Sequence, residues 1–206
     1  MKYTVTGVRS LQTVLKELGP AIREGHRIQS GRPFETMGLS LRELLANWLL
    51  CAAVNSVTQP PDRLTFTSDP TGGDGIIVDT VSGETWPTEH VMVPNLPRNS
   101  AKDVETLVLE AIAHKHQKGP TYASGKTLVV FLNGGNGAMW FPDSVAHQMP
   151  SPLHFEAVWV VGLQGVAADE YVYNVTRLDL SRNHAPAWRV SIGKEFEQWS
   201  VEPIVS

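Results

Sequence analysis

The sequence predicts a single mixed α/β domain. Two segments combine helical periodicity with capping residues, short β-branched runs lie between and after them, and one run is continuously apolar, as in a strand buried on both faces. The 206 residues contain no internal repeat and no low-complexity segment, and they are long enough for one substantial core. We therefore expect one domain that spans residues 1–206.

The composition excludes several classes of protein. Hydrophobic residues make up 42% of the chain and charged residues 18%, which excludes wholesale disorder. The single cysteine, Cys51, cannot form an intramolecular disulfide, and the net charge of −4 argues against binding to nucleic acid through a general excess of positive charge. No apolar stretch reaches the roughly 20 residues of a membrane span, and the N-terminus lacks the apolar segment of a signal peptide. We expect a cytoplasmic protein without a membrane partner.

Two helices are expected first. Residues 10–24 place their apolar side chains on one helical stripe, which the Gly-Pro pair at 19–20 is expected to interrupt. After a polar connector, Ser40 and Glu43 have the spacing of a capping box, and the helix that they open is expected to run to about Asn55. This second helix is apolar almost all round, which predicts that it is buried.

Strands and one further helix follow. Three consecutive strands are predicted at residues 64–67, 75–79 and 89–93, where apolar residues alternate or are β-branched. A second Ser-x-x-acid cap, Ser100 to Asp103, opens a helix that is expected to end at about Lys118. The continuously apolar strand covers residues 127–132, two strand-like runs cover 155–163 and 171–178, and the tail from residue 183 is predicted to be rich in loops.

Two acidic residues fall at the ends of neighbouring strands. Asp74 precedes the second strand, and Glu89 opens the third. Adjacent antiparallel strands can bring two such side chains together, and paired carboxylates repel each other unless a cation or a proton intervenes. Because Mg²⁺ is bound through one or two carboxylates, waters and often a substrate phosphate, the pair predicts a site for Mg²⁺ or Mn²⁺.

The order of elements resembles the core of the PD-(D/E)XK, or restriction-endonuclease-like, superfamily. The resemblance covers about residues 40–133. It depends on the helix that carries Glu43, on Asp74-Gly75-Ile76-Ile77, on Glu89-His90-Val91, on the helix that ends with His114-Lys115-His116-Gln117-Lys118, and on the strand at 127–132. It implies a three-layer α/β/α sandwich with a mixed central sheet, to which an N-terminal helix and C-terminal strands are added.

The resemblance also implies an activity. It indicates a metal-dependent phosphodiester hydrolase that acts on DNA, in which Asp74 and Glu89 bind the metal ion. The main-chain carbonyl of His90 would be a further metal ligand. Glu43 would correspond to the acidic residue of the first core helix and would act as an additional ligand or as a base.

Val91 departs from the pattern of this superfamily, which has a lysine at that place to stabilise the charge that develops on the phosphate. Three interpretations stay open. Lys115 replaces the amine from the second core helix, since it falls on the face expected to lie against the sheet. Alternatively, His90 acts as a base, although its side chain should point away from Glu89. In the third interpretation catalysis is lost, and the fold serves protein binding or assembly, for example as a homodimer.

Each candidate residue also has a structural interpretation. Asp74 between two glycines is typical of a tight turn, Glu43 fits the third helical position of the capping box, and Lys115 fits the edge of an amphipathic helix. The stretch from Arg98 to Lys126 has a small surplus of basic residues, which favours contact with a polyanion.

Overall fold

The computed structural model describes residues 9–25, 39–93, 102–132, 140–167, 170–179 and 184–205. These residues form a mixed α/β fold with an eight-stranded mixed sheet. The helices are α1 (Leu11–Arg23), α2 (Leu41–Asn55), α3 (Val104–His116), α4 (Pro120–Ala123) and α5 (Pro142–Gln148). The strands are β1 (Leu64–Thr67), β2 (Ile76–Asp79), β3 (Thr85–Val93), β4 (Thr127–Leu132), β5 (Ala157–Ala167), β6 (Glu170–Leu178), β7 (Ala187–Gly193) and β8 (Trp199–Ile204).

The strands are arranged in the sheet in the order of the sequence. The pairs β3 with β4 and β4 with β5 are parallel, and all other neighbours are antiparallel. A parallel pair needs a crossover connection, and α3 and α5 lie within these two connections. The β4 strand is therefore central, which agrees with the prediction from its continuous apolar run.

Helices pack on both faces of the sheet. Alternate side chains of β4 belong to different apolar clusters, since Val129 and Phe131 pack with α1 and α2, whereas Leu128 and Val130 pack with α3 and α5. The α2 helix is buried along nearly its whole length, as its apolar composition predicts. In the part of the chain that the structure describes, no helix has the length and apolar character that crossing a membrane requires.

The expected break in α1 is wrong. The helix continues through Pro20 to Arg23, and Gly19 packs so closely against Phe196 that a Cβ atom there would lie 2.5 Å from the ring. This contact with a distant segment stabilises the last turn despite the missing N–H of Pro20. Local sequence signals do not include such a contact.

The prediction of a loop-rich tail is also wrong, because β7 and β8 lie in it. Val190 and Ile192 are fully buried against the cluster that contains α2, and the two strands extend the sheet from β6. At the start of α3 the observed cap is Asp103, whose carboxylate accepts a hydrogen bond of 2.8 Å from the Thr106 amide. The predicted capping residue Ser100 lies outside the described residues.

Candidate active site

The β3 strand pairs with one strand at its start and with another further along, and the candidate site lies where the pairing partner changes. Its first residues, from Thr85 to Pro87, pair with β2, and the following residues to Val93 pair with β4. The Thr88 amide still donates to the Gly75 carbonyl at 2.8 Å. Beyond this point the Asp74 side chain takes the place of a neighbouring strand, since its Oδ2 accepts a hydrogen bond of 2.7 Å from the His90 amide.

Asp74 is held by a long-range contact rather than by a local turn. The Asn47 amide of α2 donates to the Asp74 carbonyl at 3.1 Å, and its oxygen lies 3.1 Å from Nε2 of the His90 ring. Gly75 makes room for Asn47, because a Cβ atom at Gly75 would lie 2.4 Å from the Asn47 nitrogen. The Gly75 φ of 130° is also one that L residues rarely adopt. The glycine after Asp74 therefore serves the fit between α2 and β2.

Glu89 and Lys115 form an ion pair between β3 and the last turn of α3. Their side chains are only 12% and 13% exposed. On the other side of the carboxylate, Nζ of Lys126 lies 3.9 Å from Oε2 of Glu89. Two ammonium groups therefore face one carboxylate on the α3 side of the sheet.

Tyr122 of α4 connects the lysines with Glu89. Its hydroxyl accepts a hydrogen bond of 3.2 Å from Lys118 and interacts with the Glu89 carboxylate. The Lys118 and Lys126 ammonium groups lie 4.5 and 4.3 Å from the centroid of its ring. Burial and the neighbouring Glu89 raise the pKa of Tyr122, which keeps the phenol protonated.

The two central carboxylates differ in their proton affinity. Burial raises the pKa of Asp74, and the negative charges of Glu89 and Glu43 raise it further against the hydrogen bond from His90. Burial also acts to raise the pKa of Glu89, but hydrogen bonds from Lys115 and Tyr122 outweigh it, so the pKa of Glu89 lies below its ordinary value. A bound cation would relieve the repulsion that Asp74 experiences.

Glu43 forms the capping box that its sequence position predicts. Its carboxylate accepts a hydrogen bond of 2.8 Å from the Ser40 amide, and the Ser40 hydroxyl accepts one of 3.3 Å from the Glu43 amide. Glu43 thus stabilises the start of α2, and its charge acts on Asp74 from there.

The His90 ring lies away from the carboxylates. It points towards α2, on the opposite side of β3 from Glu89, and its contact is with Asn47. Burial, together with the positive charges of Arg42 and Lys115, lowers the pKa of His90 to about 3. The ring is therefore neutral at ordinary pH and does not share a face with Glu89. This position does not fit the second interpretation, in which His90 acts as a base.

The donor set suits a hard cation that keeps much of its water shell. Among the described residues, no group of three or more His, Cys, Asp or Glu side chains is arranged to hold a metal ion. Mg²⁺ does not need such a group, because one or two carboxylates with waters and a substrate phosphate are sufficient. Asp74 and Glu89 are oxygen donors of this kind, and the charge of Glu89 contributes to the raised pKa of Asp74, so the two carboxylates act on each other.

Four residues of this site were not predicted from the sequence: Asn47, Lys118, Tyr122 and Lys126. Only Asn47 carries a sequence signal, because a polar residue inside a helix that is apolar all round needs buried hydrogen-bond partners. Lys118 and Lys126 belong to the basic stretch, but the sequence does not indicate what they contact. Nothing near Tyr122 in the sequence indicates that its hydroxyl reaches β3.

Comparisons with protein-family models, with curated proteins and with solved structures found no match to this chain.

Proposed function

We propose that this protein is a metal-dependent phosphodiester hydrolase that acts on DNA. The observation that carries the proposal is the convergence of Asp74, Glu89 and Lys115, which come from a loop, a strand and a helix, at one partly buried place. Burying charged groups costs stability, and two carboxylates side by side repel each other. Such groups are concentrated at functional sites, where the loss of stability is tolerated because activity requires the groups.

The fold supports the same proposal. From Leu41 to Leu132 the elements follow the order helix, three-stranded meander, helix, the short helix α4 and parallel strand, with α2 and α3 on opposite faces of the sheet. We include in the proposal a three-layer α/β/α core of the restriction-endonuclease type that β5 to β8 extend. The buried, unpaired thiol of Cys51 is compatible with the reducing cytoplasm that we propose as the location.

The residues have distinct parts in the proposed reaction. Asp74 and Glu89 would bind Mg²⁺ or Mn²⁺, with the main-chain carbonyl of His90 as a further oxygen ligand. When bound, the cation would polarise the scissile phosphate and lower the pKa of the attacking water. Lys115 would orient Glu89 and stabilise the negative charge that develops on the phosphate, a part that Val91 cannot take.

DNA cleavage tests this proposal. With Mg²⁺ or Mn²⁺ the wild-type protein should cleave supercoiled, linear or single-stranded DNA, and Asp74→Asn or Lys115→Met should reduce the rate by about 10²-fold or more. The exposed Asp62 and Lys16 provide matched controls, since Asp62→Asn and Lys16→Met should cleave as the wild type does. Calorimetric titration with Mn²⁺ should show binding that Asp74→Asn weakens. If DNA stays intact and Asp74→Asn binds Mn²⁺ as the wild type does, the proposal is wrong.

A second candidate is a binding or assembly module without catalysis, with a protein or a second copy of the chain as partner. One observation favours it: Lys115 already balances the charge of Glu89 without a metal ion. In that case the ion pair would serve to attach α3 to β3. Absence of cleavage, together with a dimer in sedimentation analysis that persists in Asp74→Asn, would support this candidate over the hydrolase.

A further inference from the structure

A cluster of lysines surrounds the ring of Tyr122, at the edge of the candidate site. The ammonium groups of Lys118 and Lys126 lie 4.5 and 4.3 Å from the same ring centroid, and Lys118 also donates to the phenol oxygen. Lys118 lies two residues after the end of α3, and Lys126 lies directly before β4, so residues from both sides of α4 contact one ring. We call Lys118, Tyr122 and Lys126 the lysine clamp.

The lysine clamp holds more positive charge than its own contacts balance. Two ammonium groups on one ring repel each other, and cation–π contacts at exposed sites are weak. In the part of the chain that the structure describes, Glu89 is the carboxylate within 4 Å of Lys126, and it is already paired with Lys115. A further anion at the clamp would therefore be stabilised.

Both lysines of the clamp are accessible to solvent. Lys118 is exposed, and the Lys126 side chain is 32% exposed, in contrast to the nearly buried Lys115. Nζ of Lys126 lies 3.9 Å from Glu89, and Lys118 contacts the Tyr122 hydroxyl, which itself interacts with Glu89. The positive charge of the clamp is therefore both next to the candidate site and accessible to a ligand from solution.

We infer that the lysine clamp binds backbone phosphates of a nucleic acid strand beside the phosphate that a metal ion at Asp74 and Glu89 would contact. A strand carries one negative charge for about each 3.4 Å of helix axis, so a strand with one phosphate at that metal ion would have others within reach of the clamp. Lysine binds phosphate as a point charge without a fixed geometry, which suits contacts with the backbone rather than with bases. This inference rests on the proposed function, which determines where the strand lies. It adds the residues of the lysine clamp to the carboxylates Asp74 and Glu89.

Binding without metal tests the clamp separately from cleavage. Fluorescence anisotropy with labelled duplex and single-stranded DNA in EDTA should show binding that weakens with salt. Replacing two phosphate contacts in the Lys118→Gln/Lys126→Gln double variant should reduce the affinity about tenfold and the slope of log affinity against log salt by about two. Lys118→Arg/Lys126→Arg keeps both charges and should bind as the wild type does. Lys16→Gln, at an exposed lysine on α1, controls for general charge loss.

Each outcome either supports or contradicts the inference. The inference is wrong if the wild type binds no DNA, if the glutamine double variant keeps the wild-type affinity and salt slope, or if Lys16→Gln weakens binding equally. Thermal unfolding must show that the glutamine variant stays folded, and the arginine variant separates charge from packing. Clamp-dependent binding without cleavage by the wild type would contradict the hydrolase and leave the clamp supported. Cleavage that the glutamine variant retains, with unchanged binding, would contradict the clamp alone.

Discussion

Lys115 of α3 donates a hydrogen bond to Glu89 of β3, and this contact joins a helix to the strand on which the candidate site is built. The partners are 26 residues apart in the sequence, and both side chains are nearly excluded from water. Removing either partner would therefore leave the other charge unpaired where water hardly reaches it.

A double-mutant cycle should show that the two residues depend on each other. Lys115→Met leaves the Glu89 carboxylate without its main cation, although Lys126 and Tyr122 still contact it, and we expect the free energy of unfolding to fall by about 1–3 kcal/mol. Adding Glu89→Gln removes that charge, so the double variant should recover much of the loss, as urea unfolding can measure.

The exposed pair of Lys16 and Glu197 is the control for this cycle, because its side chains are 51% and 59% exposed. Lys16→Met should change the stability by less than about 1 kcal/mol. Strictly additive effects of Lys115→Met and Glu89→Gln would contradict the expected coupling.

Stability should depend on the charge of Asp74. Because the folded state raises the pKa of Asp74, the contribution of this group is favourable below its ordinary value of 3.8 and is lost as the pH rises through the raised pKa. Asp74→Asn carries no charge and keeps an acceptor for the His90 amide. We expect the variant to be more stable than the wild type at neutral pH and to lose this advantage in acid, as unfolding by urea at both pH values will show. A wild type that is more stable at neutral pH would contradict the raised pKa.

Gly75→Ala should disturb Asn47 and, through it, the position of Asp74. The new Cβ atom would lie 2.4 Å from the Asn47 nitrogen at a φ of 130°, and we expect a loss of about 2 kcal/mol or more. Gly72→Ala is the matched control, since φ is also positive there but no atom lies within 4 Å of the added Cβ. Its cost should be only about 1 kcal/mol. A large shift of the His90 amide resonance in Gly75→Ala but not in Gly72→Ala would report the movement of Asp74, and equal effects would contradict it.

Asn55 should matter for the edge strand β1. Its side chain donates to the Leu64 carbonyl at 2.8 Å and accepts from the Leu64 amide at 2.7 Å, both in buried surroundings. Asn55→Ala leaves two buried backbone groups without partners, so the free energy of unfolding should fall by about 2–4 kcal/mol. Asn174→Ala, in a half-buried position that lines an open cavity on the sheet, should cost less than about 1 kcal/mol. Comparable losses in both variants would count against this role.

Elements with strong local signals were predictable from the sequence. The α2 helix has its cap at Ser40 and ends at Asn55 as expected, and the β4 strand covers the predicted residues. The β3 strand begins at Thr85, earlier than the expected Glu89, because Thr85 to Pro87 alternate poorly and become a strand through pairing with β2. Strands that depend on partners distant in sequence are weakly encoded in local patterns.

The site was predictable only in part, for a related reason. The order of elements singles out Asp74 and Glu89 by their expected places at strand ends; Asp74 does precede β2, whereas Glu89 lies in the middle of β3. The contact between Lys115 and Glu89 depends on how α3 packs on the sheet, and the contacts of Tyr122 depend on a short helix that the sequence did not indicate. Helical periodicity gives the face of Lys115 but not the atom that it meets.

The helical origin of Lys115 makes the geometry of the candidate site adjustable. If the amine were on β3 itself, the regular spacing of residues along the strand would fix its distance from the carboxylate. Lys115 instead moves with the whole of α3. Val108 and Ile112 are the buried residues through which α3 rests on the sheet. A change in the size of either side chain would tilt or shift the helix, so the distance between the amine and the carboxylates is set by residues that touch neither.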